Sequence, residues 1–590
     1  MSPMATMKEP QDTEKLINEK RVGEDSRMEG STGQESDTTM TSSGTSLAAA
    51  KEFIIKEVAK LKWLTCCQMV LLVLSVLLVV LSVAMLTGCF HAIISCILHS
   101  RLEVVEGSEA YDMWKVTPIP MLLKMYLFNL TNPEQFKNGK KPILQECGPY
   151  VWREYHEKVN VTFNSNNTVS YLQQRWWVWD QQLSGKNTQD DLIFSLNTIP
   201  VSAVWAVRDE EIYLAVLNRM FNDLGEKLVI SATVNELVFS GVKDPMLDWL
   251  QKEVVAKNGS YHFLLNIIGT NSAIVSFDKF AWFYKRNMSR DYDGLFNMKT
   301  GADSLTNLGM IDWWNKKHQT PFFSPPCNQV SGSAGEFFPP GSNNDHLVVF
   351  SSDLCMGMEL FFKETTFSRG VYANRFWGTN QTFANGSIVP GKECYCVKGT
   401  CAPTGLLNAE SCRMGAPAFI SFPHFVNGDP FLLEGVTGLA PNLAKHAFIL
   451  DIIPELGVPL RVAARLQINM HVLPYPGHKM MHFDRIDILR SVPDVYLPTL
   501  WFEVLAEMTP EMASKMSIVL YIIKSPITNV IIWWTLLTLA LMVIMLVITL
   551  HYKRVGRRRY KLQPLLKIPD NTTKNLHGLL HNFLLYIIKF

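Results

Sequence analysis

The residues in this chain best suited to chemistry are cysteines. Six fall between Cys327 and Cys412: Cys327, Cys355, Cys394, Cys396, Cys401 and Cys412. Thiols at that density either hold a metal or pair with one another. From Cys394 onward the gaps are one, four and ten residues, a poor set for four-ligand zinc. Asparagine glycosylation sequons stand among them, at Asn380 and Asn385, so the stretch reads as oxidised and held by three disulfides.

Covalent catalysis finds little to work with. His156-Glu157 lacks the second histidine of a zinc-peptidase helix. In Ser331-Gly332-Ser333-Ala334-Gly335 the first glycine sits beside Ser333, whereas a nucleophile elbow needs it two positions earlier. That segment reads as a Gly-Ser-rich turn. There is no phosphate loop and no dinucleotide fingerprint. The expectation is a protein that is not an enzyme, with no cofactor and no metal. A formal net charge of +1 over 590 residues also excludes a strongly basic nucleic-acid binder.

The elements that must position the cysteines are set by an uneven hydropathy. Residues 1–50 are polar and nearly free of aromatics, too poor in apolar surface to offset their ordering entropy, so a disordered tail is expected. Within it, Asp12-Thr13-Glu14-Lys15-Leu16-Ile17 fits an acidic dileucine-type sorting address. From Lys51 to Lys62 the pattern turns helical and basic, completing a cytosolic segment 1–62. An uncharged run over Met69–Leu86 then predicts a first transmembrane helix at 63–88, long enough for a ~30 Å hydrocarbon core. A second run, Ile527–Leu550, predicts another at 526–550, with Trp533-Trp534 suited to an interface.

Lys553, Arg554, Arg557, Arg558, Arg559 and Lys561 follow the second run, whereas Glu103, Glu106 and Glu109 follow the first. The positive-inside rule therefore places both termini, including the tail 551–590, in the cytosol and residues 89–525 outside. Sequons at Asn129, Asn160, Asn166, Asn258, Asn287, Asn380 and Asn385 all lie in that exoplasmic stretch. Cys66 and Cys67 lie at the cytosolic edge of the first span, where S-acylation is a candidate modification. The expected residence is the plasma membrane, or an endosomal or lysosomal membrane if the tail address is read.

Inside the ectodomain, alternation over 140–200 predicts strands, as in Tyr150-Val151-Trp152-Arg153-Glu154-Tyr155. Residues 200–270 read as helical, with Leu214, Leu217, Phe221, Leu224 and Leu228 spaced as one apolar face. Strand-like sequence resumes from about 272 through 500. The fold class is α+β with antiparallel pairing, not alternating βαβ units.

An ordered set of short pieces then carries a resemblance. They are Asn132-Pro133-Glu134, Gly148-Pro149-Tyr150, Lys243-Asp244-Pro245, Ser351-Ser352-Asp353-Leu354-Cys355, Gly415-Ala416-Pro417, Pro423-His424-Phe425, Gly438-Leu439 and Arg465-Leu466-Gln467-Ile468-Asn469. In this order, between two such spans, they resemble the class B scavenger receptor family. The resemblance implies a β-barrel-like ectodomain capped by an apical helical bundle, with a lipid tunnel through it. It also implies disulfides Cys327–Cys394, Cys355–Cys412 and Cys396–Cys401, and a structural role for His424.

Partners so implied are fatty acids, sterol esters, carotenoids, phospholipids or lipoprotein particles, captured at the apex and passed to the bilayer. Lys227 is the candidate ligand-capturing cation there, against the alternative of a solvated lysine. Phe221 and Leu224 are candidates for an acyl-chain pocket mouth, against the alternative of plain core. The chain departs from the family in its long N-terminal tail and in Cys147, which makes the exoplasmic count odd. Cys147 is a free thiol, a link to a second copy in a homo-oligomer, or a partner for Cys89 or Cys96. A protein-binding sorting or adhesion receptor is the alternative function.

Overall fold

Alternating apolar and polar residues over 144–179 fold as two long antiparallel strands, Leu144–Asn164 and Thr168–Trp179. The computed structural model describes residues 44–84, 90–256, 278–341, 345–413, 415–478, 483–524 and 527–562. The two strands belong to a thirteen-stranded sheet whose main path is antiparallel throughout. It runs from Ile311–Trp314 through Leu295–Lys299, Thr168–Trp179, Leu144–Asn164 and Met121–Leu130 to Val495–Glu507. From there it continues through Val458–Val472, Ile449–Ile453, Val371–Trp377 and Met356–Ser368 to His346–Ser351. Strand Ala418–Ser421 branches off by pairing with Val458–Val472.

The two ends of that path meet across one short segment. Ile311 N–H donates to the Gly332 carbonyl at 2.9 Å, Ser333 N–H to Val348 at 2.9 Å, and Phe350 N–H to Ser333 at 2.8 Å. Residues 332–334 thus stitch the first strand to the last, and the sheet becomes a nearly closed barrel with few free edges. Close approach demands glycine: Gly332 sits at φ +104°, and a Cβ there would lie 2.7 Å from the Val348 carbonyl oxygen. The buried Ser333 hydroxyl donates to the Phe337 carbonyl and accepts from Gly335 N–H. The segment is a turn, as its glycines and serines predict, and the structure adds that it joins the two ends of the sheet.

Among the described residues, the helical stretch of the sequence holds three α-helices, Thr198–Ala206, Glu211–Leu224 and Pro245–Ala256. A two-stranded antiparallel ladder, Leu192–Leu196 with Val229–Thr233, brackets the first two helices, and its second strand separates them from the third. The β-branched Val229, Ile230 and Thr233 favour a strand within the stretch whose spacing predicts helix. Leu214, Leu217 and Phe221 form the predicted buried face, and Gly225 in the left-handed conformation ends that helix before Leu228. One core cluster packs these helices onto the sheet, joining Leu217 and Phe221 to Phe128, Met470 and Trp501.

The chain divides into two units, residues 81–536 and residues 1–80 with 537–590. The second contains most of helix Gly44–Ala84, which starts ahead of Lys51, and the C-terminal part of helix Ile527–Leu562. Among the described residues one helical stretch is long and apolar enough to cross a membrane, Ile532–Arg554, with mean hydropathy 2.4. The described apolar part of the first expected span, Gln68–Leu81, is shorter than a crossing requires. Residues 85–89, which the expected span includes in part, lie outside the described residues.

Candidate functional site

Two of the helices begin at a buried polar junction. Asn197 caps Thr198–Ala206 by accepting from Ile199 N–H at 3.2 Å, and its amide donates to Asp244 at 2.8 Å. Asp244 accepts from the N–H groups of Met246 and Leu247 at 3.0 and 3.3 Å, satisfying the start of Pro245–Ala256. Glu226 accepts from the same Met246 N–H at 2.7 Å. Burial, then the charge of Asp244, pushes the Glu226 carboxyl up to about 7. Asp244 is also raised, mainly by burial. Two buried carboxyls so close cannot both ionise cheaply.

Residues beside this junction wall a cavity of about 300 Å³. Ile199 and Ala203 come from the first helix, and Met246, Leu247 and Leu250 from the third. The rest of the wall comes largely from the sheet. Leu466, Ile468 and Met470 alternate along one strand and so project to one side of the sheet. Across the ladders Leu466 pairs with Phe502, and Ile468 pairs with Ile420. Strand register thus assembles a continuous apolar wall from residues far apart in sequence. Segment 279–286 supplies Phe280, Ala281, Trp282 and Phe283.

The same cavity has a charged end, lined by Glu154, Arg175, Arg286, Asp353 and Arg413. Asp353 is its hub. Arg286 donates to it at 2.8 Å, and Arg413 donates to its carboxylate at 3.2 Å and to its main-chain carbonyl. Arg286 also reaches Asp293 at 2.9 Å, which Arg175 bonds as well. Burial would raise Asp353, but Arg286, Arg175 and Arg413 hold it well below the usual carboxylate range. Disulfide Cys355–Cys412 brings the chain around Asp353 beside Arg413. The other two disulfides are Cys327–Cys394 and Cys396–Cys401. Of the three, Cys355–Cys412 is the bridge that positions this end of the cavity.

Among the sequence-predicted site residues, Phe221 is fully buried in the core beneath the helices and Leu224 packs against the same cluster. Neither lines the cavity. Lys227 is exposed on the turn after Gly225. Asn160, Asn166, Asn287 and Asn380 are exposed. Asn129 and Asn385 are half-buried, with Asn129 accepting from Phe194 N–H at 2.8 Å and Asn385 donating to the Ala402 carbonyl at 2.9 Å. Asn258 lies outside the described residues. Cys66 is exposed, and the side chain of Cys67 lies outside the described residues. Cys147 is a half-buried free thiol whose ionisation is pushed up by burial and by Asp191, which weakens it as a nucleophile.

Sequence reasoning missed the charged end. Asp353 lies in the motif Ser351–Cys355, but nothing near it in sequence announces Arg175 or Arg286 as partners. His424 proves to be part of a network with Glu146 and His446, whose ligating atoms all lie within 4.8 Å. Glu146 accepts from His424 Nε2 at 2.6 Å and from Trp501 Nε1 at 2.7 Å. The set resembles a metal site, yet both Nδ1 atoms accept main-chain N–H groups, His424 from Ala440 and His446 from Asn442. Each neutral ring must then carry its proton on Nε2, the atom that would ligate. Metal-binding histidines donate from the second nitrogen, and these accept there. The cluster fits a structural clasp, as the family resemblance implies for His424.

A model described as the CD36 family matches residues 72–551. The chain is 32% identical over 429 residues to protein peste of Drosophila melanogaster, covering 71% of this chain and 72% of that protein. It is 32% identical over 405 residues to scavenger receptor class B member 1 of Sus scrofa, covering 68% and 74%. It is 32% identical over 412 residues to lysosome membrane protein 2 of Homo sapiens, covering 69% and 81%.

Proposed function

The chain belongs to the CD36 family of membrane proteins, and on that premise we propose that it takes up hydrophobic ligands through its ectodomain and delivers them to the bilayer. The observation that carries this reading is the cavity walled in large part by apolar residues of the helices and the sheet. An acyl chain entering it gains about 0.8 kcal/mol per buried methylene, and a continuous apolar wall lets it slide without a trap. The cargo class is fatty acids, sterol esters, carotenoids, phospholipids or lipids borne by lipoprotein particles. Transfer runs downhill by partitioning and needs no covalent step.

In this reading both termini are cytosolic, two helices cross the membrane at 63–88 and 526–550, and 89–525 is exoplasmic and glycosylated at the seven sequons. Cys66 and Cys67 carry acyl chains at the inner leaflet. Lys227, exposed near the helices, steers anionic headgroups or particle surfaces toward the entrance, with Phe221 and Leu224 supporting the mouth from below. The test is uptake of a fluorescent fatty acid and a fluorescent sterol ester by cells displaying equal surface levels of wild type and Lys227→Glu. Faster uptake than in non-expressing cells, slowed by the variant, supports the reading. Uptake no faster than in non-expressing cells contradicts it.

Lysosome membrane protein 2 among the relatives, with the Asp12–Ile17 pattern, favours an endolysosomal membrane, the setting of a second reading as a sorting or adhesion receptor that binds a protein partner. Changing Leu16 and Ile17 to Ala should then move the chain to the cell surface. Unaltered distribution would dispose of it.

A further inference from the structure

The hairpin formed by Met356–Ser368 and Val371–Trp377 turns on Arg369 and Gly370, at φ 53° and 80°. Two central residues at positive φ suit the twist of the flanking strands, but arginine is a strained choice at the first. Its side chain accounts for it. The Arg369 guanidinium donates to the Met508 carbonyl at 2.5 Å and to Glu507 at 3.0 Å. Ser517 Oγ donates to the Gly370 carbonyl at 3.3 Å. The turn is strapped to helix Pro510–Lys524.

Two aromatic rings flank the turn with little cover. Phe367 is 60% and Tyr372 57% exposed, their centroids 4.7 Å apart. The outer stripe of the helix beside them changes character along its length. Glu511, Ser514 and Lys515 are exposed and polar, whereas Ile518 is 61% and Tyr521 69% exposed. The change falls at Ser517, the residue that touches the turn. Shortly beyond Lys524 begins the helix that carries the membrane-length stretch Ile532–Arg554.

We propose that Phe367, Tyr372, Ile518 and Tyr521 form a foot seated in the headgroup–acyl boundary of the outer leaflet. The occupant is phospholipid. The patch is continuous in sequence with a span, its exposed stripe turns from polar to apolar toward that span, and it presents tyrosines, which gather at membrane interfaces. The foot rests on the exoplasmic placement of the ectodomain, and it gives a transfer protein a fixed docking point on the receiving leaflet.

The test is photocrosslinking of the full chain in phosphatidylcholine nanodiscs, with benzoylphenylalanine at position 367 or, in a second variant, at Leu192. Leu192 is about as exposed but lies on the strand that leads into helix Thr198–Ala206. Phosphatidylcholine adducts at 367, several-fold above those at 192, are expected. Equal yields at both positions, or adducts at 367 to protein only, overturn the proposal. A chain that retains lipid in its cavity yet gives no lipid adduct at 367 overturns the foot and leaves the carrier reading standing.

Discussion

Arg286 donates to Asp353 at 2.8 Å, and that contact ties the segment walling the cavity to the disulfide-bonded motif that opens at Ser351. Arg286 is almost fully buried, stacked within 4.8 Å of the Tyr292 ring centroid, and also bonded to Asp293. Removing one partner of a buried charge pair leaves the other without compensation, at a cost of about 3–5 kcal/mol. Arg286→Ala should therefore destabilise the ectodomain by about that amount in urea unfolding. Arg413→Ala, at a more exposed position, should cost about 1 kcal/mol. Equal effects would contradict the hub arrangement.

Glu226 gives the helices a pH dependence of definite sign. Its folded-state pKa, about 7, lies above the ordinary carboxylate value. The folded chain therefore holds the proton more tightly, and the stabilisation is full in acid and fades as pH rises through about 7. Amide exchange at Met246 and Leu247 should be slower at acidic than at alkaline pH after correction for intrinsic rates. Glu226→Gln should flatten that profile, and parallel profiles in the two proteins would refute the assignment.

His446 has the opposite sign. Burial, then His424, holds it down to about 4. Its contribution is present above the ordinary histidine pKa and is lost as pH falls toward about 4. Nuclear magnetic resonance titration should find this ring neutral at pH 5.5. Because the tautomers disfavour metal, excess zinc should leave the thermal midpoint unchanged. A zinc-dependent rise abolished by His424→Ala would overturn the clasp.

Barrel closure depends on one glycine. Gly332→Ala puts a methyl against the Val348 carbonyl on a left-handed backbone, and the strain alone should cost about 1–3 kcal/mol. Chemical denaturation measures it, and an unchanged midpoint would mean that the two sheet edges are not stitched there.

Much of this was legible in sequence because it is local. Period-two alternation revealed Leu144–Asn164, the spacing of Leu214, Leu217 and Phe221 revealed a helix, and Gly332 beside Ser333 excluded an elbow. What stayed hidden is non-local. The Leu466–Phe502 pair and the Arg175–Asp293–Arg286 network depend on strand register and a folded wall, which no window along the chain contains. For the same reason Phe221 and Leu224 could be placed on an apolar face but not on a side of a cavity. The strand Val229–Thr233 was missed because five residues are too few to interrupt a helical average.

The central claim is that the cavity holds lipid. The measurement is lipid mass spectrometry on full-length protein purified in a non-lipid detergent, wild type beside Ile468→Trp, which fills the cavity from its barrel wall. The account predicts one lipid class enriched over the host membrane in wild type and lost in Ile468→Trp. Identical lipid complements in the two proteins would contradict it.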